Sequence, residues 1–292
     1  MSGRSALGRV SLPRPVRRGV RNFTTAMRRP TARMRVLPTF LIIGAQRSGT
    51  TSLFYYLERH AQVFGPVRNK GVHYFDTDFD RSDAWYRSHF PRRALLERSE
   101  LPYAVGEASP YYLFHPEIPG RVSALMPAVQ AIAILRDPVE RTISHHHHEL
   151  ARGNEHLPLD KALAAEQERL AGEAERLAAE PTYVSTAHMH HSYVARSQYA
   201  PQIERWLEHV APAQLLLLRT EDLQSEPEQT LRRVTDFLGV DPPPTADYPK
   251  YNERSYEDVD PELVDELRKG FAASEARVAE LIELTDAARA TP

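Results

Sequence analysis

The sequence predicts an α/β fold, a single domain with a central parallel β-sheet flanked by helices. Three observations carry that reading. Short, uninterrupted apolar runs alternate with helical stretches, the pattern of strands covered on both faces. Glycine, proline or serine punctuates the ends of those runs. The 292 residues, 41% hydrophobic and 26% charged, have the composition and length of a chain with a sizeable core.

Each element follows in order. Residues 1–35 hold ten arginines, no acid and three prolines, with no sustained apolar periodicity. They read as a basic, disordered arm outside the fold, with 36–292 as the domain. A transit peptide, or contact with nucleic acid or anionic lipid, stays open for such an arm. Residues 40–44 (FLIIG) form the first buried strand, and 51–60 a helix with Leu53 and Leu57 on one face. Residues 63–67 predict a short strand, and 103–107 another, bounded by Gly106 and the turn at Ser109-Pro110. Residues 129–135 (VQAIAIL) are wholly apolar, and Asp137-Pro138 after them is an N-cap and first-turn pair. Residues 157–180 are rich in Ala, Glu and Arg and predict a solvent-facing helical insertion. Residues 214–218 (QLLLL) give a last strand, followed by a turn and an amphipathic helix. Residues 261–284 close with a helix striped by Leu263, Leu267, Phe271, Val278 and Leu281.

Composition removes several classes of function. Cysteine is absent, which excludes disulfides, thiolate metal sites and cysteine nucleophiles. No apolar run reaches the roughly 18–20 residues of a membrane span, and no secretory core is present, so a cytoplasmic location is expected. Beyond the arm, 27 basic face 39 acidic residues, a net of −12, which argues against a nucleic-acid-binding core.

Two stretches carry chemistry. The first, Gly44-Ala45-Gln46-Arg47-Ser48-Gly49-Thr50-Thr51, is nearly a nucleotide-triphosphate loop, with Thr50 where that loop has lysine. Its glycines permit a tight turn, a helix N-terminus follows, Ser48, Thr50, Thr51 and Ser52 add hydroxyls, and Arg47 adds one cation. Without the lysine, a magnesium triphosphate is a poor fit. The second stretch, LRDPVERTISHHHHEL, sets Arg136 at the mouth of a strand and Ser144 eight residues on. Ligands of parallel α/β sheets gather at the carboxyl ends of the strands, so both loops open on one edge and a second phosphate can bind there.

GAQRSGTTSL and LRDPVERTISH together resemble the two cofactor motifs of sulfotransferases that use 3′-phosphoadenosine 5′-phosphosulfate (PAPS, product PAP). KGVHYFD, GEASPYYL and residues 214–240 fit the same pattern, closest to the carbohydrate and heparan-sulfate-like branch and its bacterial relatives. The resemblance covers about residues 38–255. It implies that Gln46, Arg47, Ser48, Gly49, Thr50, Thr51 and Ser52 hold the 5′-phosphosulfate, and Arg136 and Ser144 the 3′-phosphate. It implies metal-independent, in-line transfer of a sulfuryl group to a hydroxyl, or an amine, of a small molecule or saccharide. A P-loop-type nucleotide kinase and a non-catalytic PAP-binding module are the alternatives.

The resemblance is imperfect at the general base. That branch commonly has Lys-Glu-x-His, whereas this chain has Lys70-Gly71-Val72-His73. His73 is the first candidate base, because an imidazole titrates near neutrality. Glu107 is the second, and Lys70 is expected on the transferring group. Arg47 keeps its charge and acts as an electrostatic clamp. His145–His148, and His188, His190 and His191, are expected on a cleft-facing or solvent-facing surface, with no metal site. Glu221-Asp222 reads as a turn or cap. Asn252 and Arg254 fall where relatives often close a loop over the nucleotide.

Overall fold

The computed structural model describes residues 26–67, 69–243, 248 and 259–290; Asn252 and Arg254 lie outside them. Five strands, β1 (Phe40–Gly44), β2 (Val63–Phe64), β3 (Ala104–Ala108), β4 (Gln130–Leu135) and β5 (Leu215–Arg219), form one sheet in the order β2-β3-β1-β4-β5. Every pairing is parallel. β1, which carries the glycine loop, is therefore the central strand.

The helices are α1 (Thr50–Leu57), α2 (Asp83–Arg87), α3 (Arg93–Leu96), α4 (Ile118–Leu125) and α5 (Pro138–Arg152). They continue with α6 (Leu159–Leu170), α7 (Glu173–Ala179), α8 (Thr186–His190) and α9 (Tyr199–Leu207). α10 (Thr220–Ser225), α11 (Pro227–Leu238) and α12 (Pro261–Ala290) complete the set.

Side chains alternate across a strand, and the core divides accordingly. Leu41, Ile43, Ala131, Ala133, Leu215 and Leu217 enter one apolar cluster with α4, α9 and α12. Phe40, Ile42, Ile132, Ile134, Leu216 and Leu218 enter the other, with α1 and α11. Both faces are covered, which is why the strands read as unbroken apolar runs.

Three expectations change. The second strand shortens to two residues, because only Val63 and Phe64 pair with β3. The 157–180 helix is two helices broken at Gly172 (φ 75°), and it is not simply solvent-facing. Its Glu166 is buried and accepts from the backbone N–H of Val194 and Ala195 at 2.7 and 2.8 Å. The end of the basic arm is part of the fold: Arg29–Met34 form a 3-10 turn, Ala32 and Arg35 are buried, and Arg28 and Arg35 both donate to the Phe90 carbonyl, at 2.6 and 2.8 Å.

Candidate active site

Residues 45–49 link β1 to α1 at the carboxyl edge of the sheet. Arg47 (φ 72°) and Gly49 (φ 86°) both take left-handed backbone, which folds the loop back over the helix end. Thr220, first residue of α10, puts its Oγ1 2.7 Å from the Ser48 carbonyl and 3.0 Å from that of Leu135, tying loop, β4 and β5 together. Gly49 gives α1 no side-chain cap, so the first-turn amides of Thr50, Thr51 and Ser52 are left for an anion. Arg196, fully buried, donates to Gln46 Oε1 and to the carbonyls of His188 (2.7 Å) and Met189 (3.0 Å). It lies over the rings of Tyr111 and Phe114. The loop is thus held from both sides before any ligand arrives.

The two motif loops meet. Arg47 Nε donates to Ser144 Oγ at 3.0 Å, across 97 residues of sequence. Asp137 caps α5 by accepting from Glu140 N–H at 2.8 Å, and Glu221 accepts from Asp137 N–H at 3.1 Å. Arg136 is paired at 2.6 and 2.9 Å with Glu140, in the first turn of α5. Lys70 donates to Thr50 Oγ1 at 3.3 Å, and burial followed by the charge of Arg47 brings its pKa down to about 8. Arg47 in the glycine loop and Lys70 beside Thr50 thus put two cations at the head of α1, the kind of donor an anionic group needs.

The 70–76 segment closes the site, and Glu107 holds it in place. One Glu107 oxygen accepts from Val72 N–H (2.5 Å) and Ser109 Oγ (2.8 Å), the other from Tyr86 (2.7 Å) and Tyr112 (3.2 Å). Glu107 is fully buried, and burial pushes its pKa up against those donors. Ser109 Oγ in turn accepts from His73 N–H at 3.2 Å. His73 takes φ 60°, uncommon for a residue with a side chain, and its ring is 42% exposed. Its Nδ1 is 2.8 Å from Oδ2 of Asp76, whose side chain is 1% exposed and also accepts from Thr77 N–H at 2.6 Å. Burial lowers the His73 pKa, but the charge and hydrogen bond of Asp76 outweigh it and the net shift is upward.

The glycine at position 71 has a packing cause. A Cβ there would stand 2.6 Å from the Ala108 carbonyl oxygen and 2.9 Å from Ser109 Oγ. The backbone runs so close to the end of β3 that no side chain fits.

Three of the histidines differ from expectation. His145 and His146 are buried, because α5 is enclosed by the 193–197 segment and Tyr193 lies against both rings. His188 is also interior: its Nδ1 is 2.7 Å from the Tyr111 hydroxyl, its ring stacks on Phe114, and burial and then Arg196 take its pKa down to about 2. Three residues escaped the sequence reading. Asp76 stands three positions beyond His73, a spacing that could have flagged it. Arg196 carries no motif, and Thr220 lies in the 214–240 stretch without a role of its own there.

A parallel sheet with an uncapped glycine loop after its central strand defines an α/β protein with a P-loop-like turn. Residues 37–257 match the model of the sulfotransferase domain. The chain belongs to that sulfotransferase family. It is 32% identical to mouse heparan sulfate glucosamine 3-O-sulfotransferase 3B1 over 206 residues, covering 70% of this chain and 46% of that protein. It is 26% identical to the membrane-associated sulfotransferase kil1 of Dictyostelium discoideum, covering 77% of this chain and 60% of that one. The chain thus spans about half the length of the curated relatives it matches. The solved sulfotransferase from Alicyclobacillus acidocaldarius superposes with a TM-score of 0.63 at 27% identity, covering 85% of this chain and 96% of that one. No helix among the described residues is long and apolar enough to cross a membrane.

Proposed function

We propose that the chain is a PAPS-dependent sulfotransferase that sulfates a hydroxyl, with a saccharide as the first acceptor class to test. The Arg47–Ser144 contact carries the reading, since it joins the phosphosulfate-type loop to the 3′-phosphate-type helix in one site. The residues present fit such a nucleotide: uncapped amides at α1, the hydroxyls of Ser48, Thr50, Thr51 and Ser52, and two cations at the head of α1. PAPS supplies the sulfuryl group and a nucleotide oxyanion as leaving group.

This chain's residues divide the remaining work. Arg47 and Lys70 stabilise negative charge at the end of the glycine loop. Arg136 reaches a second phosphate by exchanging its Glu140 partner for it. Asp76 holds Nδ1–H of His73, which fixes the tautomer and leaves Nε2 to accept the acceptor proton. Glu107 positions the segment that carries both Lys70 and His73. Saccharide acceptors are preferred because relatives are named for heparan sulfate glucosamine.

The test is incubation of the chain with PAPS and a panel of saccharides and metabolite extracts, read by mass spectrometry for the gain of one SO₃. Transfer should survive EDTA. ATP turnover in place of that mass gain would overturn the reading.

A further inference from the structure

A cavity of about 430 Å³ lies away from the glycine loop, at the outer edge of the sheet. It sits between β2, the end of α1, the start of α3 and the 3-10 turn of residues 29–34. Among the described residues three arginines line it, Arg28, Arg35 and Arg92, with Glu58 as the single carboxylate. Arg28 and Arg35 share the Phe90 carbonyl as acceptor, and Arg28 Nε is buried with no hydrogen-bond partner among the described residues. The Arg92 side chain makes no hydrogen bond or ion pair among the described residues. Like charges are therefore held together at this cavity. Burial, then Arg35 and Arg92, take the pKa of Arg28 down to about 10. The rest of the wall is apolar: Phe64, with Val67 and Leu95 more than half exposed at the rim.

We propose that this cavity is a second anion site, which binds a sulfate or phosphate ester carried on an apolar body. Guanidinium groups match tetrahedral oxyanions through paired N–H donors, and the exposed Arg92 guanidinium, with no partner among the described residues, is placed to meet one. The apolar rim would cover the organic part of the ester. None of the cavity's residues belongs to the glycine loop, to α5 or to the 70–76 segment.

Calorimetry of the full chain with hexyl sulfate, and with inorganic sulfate for comparison, tests the proposal. Hexyl sulfate should bind the more tightly, and Arg92→Ala and Arg28→Ala should each weaken it by about tenfold, the scale of one charge-assisted hydrogen bond. Arg47→Ala should leave it unchanged. Arg92 is exposed, so its replacement keeps the fold even if Arg28→Ala does not. Sedimentation with phosphatidic acid vesicles identifies the source. Loss of vesicle binding in Arg92→Ala assigns the anion to a lipid headgroup; binding of the soluble ester alone assigns it to a free metabolite. No binding of either probe, or binding that Arg92→Ala leaves unchanged, overturns the site.

Discussion

At the scale of the residue, the site is defined by what His73, Lys70 and Gly71 can each do. His73 accepts a proton only when neutral, and Asp76 raises its pKa above the ordinary 6.5. The rate should therefore climb as pH rises through a value above 6.5. Asp76→Asn should move that limb down, since burial and the charge of Lys70 are then opposed only by Glu107, and should lower the plateau because the tautomer is no longer held. His73→Ala should lose about 10²–10⁴-fold in single-turnover transfer while binding PAP normally; retention of most of the rate would remove His73 as the base. Lys70 works in the opposite sense: it must stay charged, and its pKa is about 8. In kcat/KM for PAPS, which reports the free enzyme, activity should fall as pH passes about 8, and Lys70→Arg should remove that fall. Gly71→Glu should not restore the family's usual carboxylate. The added side chain meets the Ala108 carbonyl and should destabilise the chain by about 1–3 kcal/mol, measured by denaturant unfolding. The glycine was legible as a departure from the family pattern, but its cause was not, because Ala108 is 37 positions away.

At the scale of the element, the two loops and α5 act as one unit. Arg136 lies just before the cap of α5 and Glu140 in its first turn, and their pairing competes with any phosphate for the same guanidinium. Arg136→Ala should weaken PAP by about 1.5–3 kcal/mol, the scale of a charge-assisted hydrogen bond. Glu140→Gln should strengthen it several-fold by freeing Arg136. Calorimetry distinguishes the two outcomes, and equal affinities across the three proteins would detach Arg136 from the site. Strands and glycine loop were readable because burial on both faces leaves continuous apolar runs, and because a phosphate loop needs its glycines locally. Arg196 and Thr220 were not readable. Arg196 acts on Gln46 from 150 residues away and Thr220 on Ser48 from 172, and nothing local gives either one that role.

At the scale of the whole molecule, the end of the basic arm is packed on the domain. Deleting residues 1–25 should leave the melting temperature unchanged, whereas deleting 1–35 should lower it by several degrees. The longer deletion removes buried Ala32 and both arginines on the Phe90 carbonyl. Equal melting temperatures for the two truncations would mean that these contacts contribute nothing to stability. At the other end, α12 lies along α9 and β5, and its Arg289 donates to the Leu215 carbonyl on that outermost strand. β5 is an edge, and an uncovered edge is a template for another strand. During synthesis β5 leaves the ribosome more than forty residues before α12 begins. For that interval the growing chain carries its outermost strand without the helix that later lies along it.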